Sequence, residues 1–234
     1  GAPFDSHSVT VSTDGLGSLK MSGEGMSSAA GAVDGTVAGN IWDAFQAGAD
    51  EPEAAPGAAG GLNYTLPSLM DGVALAASYS PKGTGNDSST SWSVVYTGFD
   101  GLALTYAKGD DNSTAASHAT QTVLKATYAI GPVTVGYMTS EYDDEVASGD
   151  QETESYNIAY TVSDDLSISY GTEELTFGVA SSTNVAAEFE RVKVTYTTGG
   201  MTLTASQAQG DNVSYSTAAT EDREVWALGA SFAF

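Results

Sequence analysis

The chain has 234 residues, with 30 Asp+Glu against 7 Lys+Arg, a formal charge of −23 and no cysteine. That charge excludes a general nucleic-acid binder, which needs a basic surface to displace phosphate counterions; the missing thiols exclude disulfide frameworks, cysteine–zinc sites and thiol catalysis. Hydrophobic residues make up 41%, too many and too regularly spaced for a disordered chain, yet no run of about 18 apolar residues marks a transmembrane helix.

From the amino end, alternation with a period of two predicts strands over 7–14 and 17–23, joined by the tight reversal Asp14-Gly15-Leu16-Gly17. The segment 24–59 comes next and is far longer than the other connections. Its "GNIWDAFQ" predicts a short helix with Asn40 near the cap. Alternation then resumes and holds to the end, over 60–66, 72–81, 91–99, 102–109, 120–129, 133–142, 152–163, 166–176, 188–198, 201–210 and 222–234. The count is about thirteen strands. Their connections alternate in length. Short ones at 67–72, 100–101, 131–132, 164–165 and 199–200 carry the Gly, Asp and Pro of tight reversals. Long ones at 82–91, 110–119, 143–151, 177–187 and 211–221 are rich in Ser, Thr, Asn, Asp, Gly and Ala.

Each strand has one apolar face. In "VALAASY" it is Val73, Leu75, Ala77 and Tyr79; in "LSISYG" Leu166, Ile168 and Tyr170; in "RVKVTY" Val192, Val194 and Tyr196. The closing "EVWALGASFAF" puts Trp226, Leu228, Ala230, Phe232 and Phe234 on one side. The opposite faces are Ser, Thr, Gly, Asn and Ala with an occasional charge. A soluble sheet sends its charge outward; small polar residues opposite Val, Leu and Tyr suit a water-filled lumen and a lipid exterior. With short turns at one end and long loops at the other, the fold expected is all-β: a transmembrane antiparallel up-and-down β-barrel. Tyr96, Tyr128, Tyr160 and Tyr196 stand just before short turns. Tyr79, Tyr106, Tyr137 and Tyr170 lie farther along the return strands, with Trp92, Tyr156 and Trp226 near the long loops. Two such rows fit aromatic girdles at the two membrane interfaces. A bland reading, a secreted β-sandwich using tyrosine for its strand propensity, stands beside it.

An odd strand number is foreign to bacterial barrels, and an open edge in lipid leaves backbone groups unpaired. Strands missing ahead of Gly1 are therefore expected, and the chain reads as a processed product or a fragment. With its long segment after the second strand and its terminal Phe234, the chain resembles the trimeric general-diffusion porins of Gram-negative bacteria, the alphaproteobacterial kind in particular. In that family the third extracellular loop follows the fifth of 16 strands, carries a short helix and folds into the pore. The resemblance makes 24–59 the pore-constricting loop within a single barrel domain spanning 1–234. It implies three absent strands, since eleven follow this loop, and makes Phe234 the residue presented to the assembly machinery. It also implies a homotrimer in the outer membrane, with lipid and lipopolysaccharide around it and small hydrophilic solutes passing through. One departure concerns the loop tip: "AGADEPEAAPGAAGG" is no close match to the family's acidic tip.

The porin arrangement opposes loop acids to wall bases. The loop offers Asp34, Asp43, Asp50, Glu51 and Glu53; Lys20, Lys125, Arg191, Lys193 and Arg223 lie on the polar parity of their strands. A Lys or Arg facing lipid at the midplane costs about 2–4 kcal/mol, so the barrel demands that parity. Bare wetting of the lumen, or pairing with neighbouring acids, is the plainer role for them. Lumenal acid favours cations, so weak cation selectivity is expected. No cofactor is expected, although clustered carboxylates such as "EYDDE" at 141–145 could bridge Ca²⁺ or Mg²⁺ in a loop. No enzyme is expected either. His7 and His118 have no metal-ligand spacing, and the chain has no G-x-S-x-G elbow and no phosphate-binding glycine loop. The competing functions are a barrel acting mainly as adhesin or phage receptor, and a soluble acidic sandwich.

Overall fold

The computed structural model describes residues 7–23, 25–45, 52, 60–83, 87–114, 117–145, 149–178, 185–218 and 220–233. The early strands are β1 (Ser8–Thr13), β2 (Gly17–Ser22), β3 (Gly61–Thr65), β4 (Val73–Ser80), β5 (Ser89–Phe99) and β6 (Leu102–Thr114). Then come β7 (Ser117–Ile130), β8 (Val133–Asp144), β9 (Gln151–Ser163) and β10 (Leu166–Phe177). The last are β11 (Ala187–Thr198), β12 (Met201–Asp211) and β13 (Arg223–Phe232). They form one 13-stranded sheet in chain order, the up-and-down topology that alternating short and long connections require. The helix expected in the long loop is a single 3-10 turn, Ile41–Phe45, entered through Asn40 at φ 52°.

Strand limits agree with the alternation pattern to within a residue or two, with one main exception. The loop expected at 110–119 is mostly strand, because β6 runs on to Thr114 and β7 begins at Ser117. Asp110, Asp111 and Asn112 are poor strand formers and read as loop. Side chains override that preference: Thr90 Oγ1 donates to Asp110 at 2.9 Å, the Tyr142 hydroxyl to Asp111 at 2.6 Å, and Asn112 Nδ2 to the Ser88 carbonyl at 2.8 Å.

The chain divides into two compact units. The first is Gly1–Gly35, Glu53–Lys125 and Ser140–Asp150; the second is Thr36–Pro52, Ala126–Thr139 and Gln151–Phe234. In both, the polarity of a water-soluble sheet is inverted. The first buries Ser78, Ser91, Ser93 and Gln121 while exposing Val9, Leu62, Trp92 and Tyr106. The second buries Thr153, Ser155 and Glu173 while exposing Ile158, Ile168, Val192 and Leu228. Each large apolar side chain left in water forgoes about 1.5–3 kcal/mol, so a bare face built this way belongs against something apolar. In the second unit one register row of that face reads Tyr160, Ile168, Val194, Ala205 and Leu228. Carboxylates enter the same face only toward the long-loop ends, as Glu154, Glu174, Glu190 and Glu224.

The apolar cluster of the second unit lies on the opposite face. Ile41 and Phe45 of the 3-10 turn pack with Leu175, Ala187, Phe189 and Ala208. The Phe45 and Phe189 rings meet with centroids 5.3 Å apart.

Candidate functional site

Residues 25–45 of the long loop lie on the polar face, and their contacts follow from strand register. In the first unit one row runs Thr10, Lys20, Asn63, Ser78, Ser91 and Gly109 across β1–β6. Ser78 and Ser91 are hydrogen-bonded to each other at 2.6 Å. They accept the backbone N–H groups of Ala29 at 2.9 Å and Ala30 at 3.2 Å. Asn63 Nδ2 donates to the Ser27 carbonyl at 3.4 Å. A loop pressed on a sheet must find partners for its amides and carbonyls, and short hydroxyls on the wall supply them without holding the backbone away. Farther along, Lys125 Nζ donates to the Gly35 carbonyl at 2.8 Å, and Gln121 Nε2 to Asp34 Oδ2 at 3.1 Å.

Burial pushes the Asp34 carboxyl above its ordinary value; the Gln121 hydrogen bond and the Lys125 charge offset part of that rise. A carboxyl raised in the folded state stabilises fully below its unfolded pKa of 3.8, and that contribution is lost as pH climbs through the raised value. Ionised Asp34 is therefore a cost to the seat at neutral pH. Asp34→Asn is expected to slow proteolysis within 24–59 at pH 7 while leaving the rate at pH 3.5 unchanged. Equal effects of the substitution at both pH values would remove Asp34 as the source.

In the second unit two adjacent rows carry the loop. Ser155, Glu173, Phe189, Gly210 and Arg223 lie opposite one another across β9–β13; the next row is Asn157, Gly171, Arg191, Ala208 and Val225. Glu173 accepts from Thr36 Oγ1 and from the Trp42 backbone N–H at 3.1 Å. Ser155 Oγ accepts from the Ala38 N–H at 3.2 Å. Arg191 donates to the carbonyls of Ala38 and Gly39, and Arg223 to that of Phe45 at 3.5 Å while pairing with Glu221 at 2.7 Å. Gly171 leaves the gap that Ala38 fills: a Cβ there would stand 2.7 Å from Ala38 Cβ.

No protein-family model and no curated protein matches the chain in sequence. Solved structures do match. A porin refined at 1.8 Å has a TM-score of 0.71 at 16% identity, over 97% of this chain and 80% of that one. OmpT, an outer-membrane protein of Vibrio cholerae, has 0.64 at 17% identity over 97% and 80%, and its trimer form 0.55 at 16% over 97% and 76%. An anion-selective porin from Comamonas acidovorans has 0.63 at 14% identity, over 87% and 66%. The chain has the porin fold.

Within that fold the five wall bases all fall on the face that carries the loop. Lys125, Arg191 and Arg223 each donate to a loop carbonyl, and the Lys125 charge also acts on Asp34. Lys20 shares its row with Asn63 and Ser78, and Lys193 lies opposite Ser169 and Ser206; neither forms a salt bridge among the described residues. Asp43 is exposed on the 3-10 turn. Asp50, Glu51, Glu53 and Phe234 lie outside the described residues. Tyr79, Tyr96, Tyr106, Tyr160, Tyr170, Tyr196 and Trp226 stand exposed on the bare face, with Tyr128 and Tyr137 half-buried. Among the described residues no group of three or more His, Asp or Glu side chains stands close enough to hold a metal ion, "EYDDE" included. Sequence reasoning passed over Ser78, Ser91, Gln121, Ser155, Gly171 and Glu173. For Glu173 a signal was present: it shares the polar parity of Ser167 and Ser169, where a carboxylate is out of keeping with the small residues around it.

Proposed function

We propose that the chain forms the wall of an outer-membrane porin barrel, a water-filled channel for passive diffusion of ions and small hydrophilic solutes. The observation that carries this reading is the inverted sheet: an apolar bare face on one side, and on the other a polar face with a long loop seated on it. A soluble binding module has no use for either. Residues 24–59 are the constricting loop, with Asp34, Asp43, Asp50, Glu51 and Glu53 as its acids and Lys20 and Lys193 as wall cations beside the opening. The exposed aromatics are the interface girdles, set against outer-membrane lipid and lipopolysaccharide, and Phe234 is the assembly signal. A homotrimer is the assembly proposed, in keeping with the trimer form of the Vibrio OmpT. Selectivity is proposed to be weakly cationic, since 30 acids face 7 bases and three of the wall bases are bound to backbone. The fold itself leaves that sign open, one similar porin being anion-selective.

The test is planar-bilayer recording on the native protein that contains this chain. Stepwise openings in groups of three, with a reversal potential on the cation side under a salt gradient, are expected. Absence of current would move the reading to a closed barrel serving as surface receptor or adhesin. An anion-side reversal potential would overturn the selectivity alone.

A further inference from the structure

We propose that Glu173 is the positioning residue of the constriction, acting with Arg191 as a two-sided clamp on the loop turn Thr36–Trp42; this rests on the channel reading above. Glu173 is 2% exposed, and a carboxylate so deep needs a partner for each oxygen. Both partners come from the loop. Oε1 takes the Thr36 hydroxyl proton, and Oε2 takes the Trp42 N–H at 3.1 Å, inside the first turn of the 3-10 helix. Thr36 Oγ1 in turn accepts the Asn40 N–H at 2.7 Å, and Asn40 Oδ1 accepts the Thr36 N–H at 2.9 Å. The carboxylate thus orients the hydroxyl that closes the turn. That turn holds Gly39 at φ 85° and Asn40 at φ 52°, a left-handed pair that few side chains adopt without outside support.

Arg191 completes the clamp from the other polarity. It binds the carbonyls of Ala38 and Gly39, so amides of the turn go to the anion and carbonyls to the cation. Register puts the two charges on adjacent rows of β10 and β11, with Gly171, opposite Arg191, leaving the space that Ala38 fills. Because the charges are opposite and adjacent, the pair adds almost nothing to the net charge of the lumen. Its product is geometry: the loop's distance from the wall, and hence the size of the opening.

Two readouts separate this from a role as a selectivity charge. In bilayers, Glu173→Gln keeps the shape but removes a charge-assisted acceptor, so a larger, flickering conductance level is expected to gain about tenfold or more in occupancy. Since that loss leaves Arg191 uncompensated, ion preference is compared in the double variant Glu173→Gln with Arg191→Gln, whose reversal potential should stay at the wild-type value. Adding Ala38→Cys with Ser155→Cys to this variant, in a chain with no cysteine of its own, should restore the wild-type level on oxidation. The second readout needs no current. A single Ala38→Cys, buried in the seated loop, should react slowly with maleimide and at least about tenfold faster when Glu173→Gln is added. A shifted reversal potential in this charge-balanced pair at unchanged conductance, or one that survives the disulfide, overturns the clamp; so does labelling that Glu173→Gln leaves unchanged. Accelerated labelling in a protein that carries no current upholds the clamp and rejects the channel.

Discussion

Arginine at Ile168 is expected to abolish most membrane folding, whereas arginine at Ser169 is expected to leave it nearly intact. The two positions are neighbours on β10, and any local effect of the substitution on strand formation is shared between them. They differ in the face they occupy. Ile168 is 41% exposed, in a row with Tyr160, Val194, Ala205 and Leu228. Ser169 lies between Ala159 and Lys193 on the face that carries the loop. Arginine facing lipid costs up to about 2–4 kcal/mol, the full amount at the midplane; against a total stability of roughly 5–15 kcal/mol that is a large loss. The folded fraction after refolding into phospholipid vesicles, read from heat-modifiable migration on gels, measures it. If both variants fold equally well, the bare face does not meet lipid. If Ser169→Arg is the worse of the two, the faces have been assigned the wrong way round.

The second large effect is expected from Gly171→Leu. A Cβ alone at this position would stand 2.7 Å from Ala38 Cβ and 3.2 Å from Ala38 Cα. The wall strand is pinned by its partners β9 and β11, so the loop is the part free to yield. Overpacking of this kind costs about 1–3 kcal/mol. Displacing Ala38 also breaks the Ser155 and Arg191 contacts made through its own N–H and carbonyl. The variant changes no charge, so bilayer recordings should show raised conductance with an unaltered reversal potential, and protease should cut within 24–59 sooner. Gly15→Ala is the matched control: a Cβ there has nothing within 4 Å, and its strands should be untouched. Wild-type conductance in Gly171→Leu would mean that the loop does not set the opening.

The two-faced sheet was legible because what it requires is local. Alternation between two faces is a property of neighbouring residues, and the backbone enforces it whatever the chain folds against. The Val, Leu and Tyr of "YNIAYTV" and "LSISYG", the glycines of the short turns and the polar parity of Arg191 and Lys193 could all be read directly. Where the environment reached in from elsewhere, the reading missed. Asp110 to Asn112 have the composition of a loop, and only contacts with Ser88, Thr90 and Tyr142 keep them in β6.

The loop's seat was beyond such a reading for a stronger version of the same reason. Thr36 and Glu173 are 137 residues apart, and Arg191 and Ala38 are 153 apart. No periodicity links residues so distant; the register of β9 through β13 brings Ser155, Glu173 and Arg223 into one row and leaves Gly171 empty beside them. The amino-acid sequence by itself determined which residues of each strand share the apolar face and which the polar one, because a period of two settles that residue by residue. The tertiary structure alone decided what the wall charges do. Lys125, Arg191 and Arg223 each hold a backbone carbonyl of the loop, since a loop laid on a sheet leaves carbonyls that must be paired.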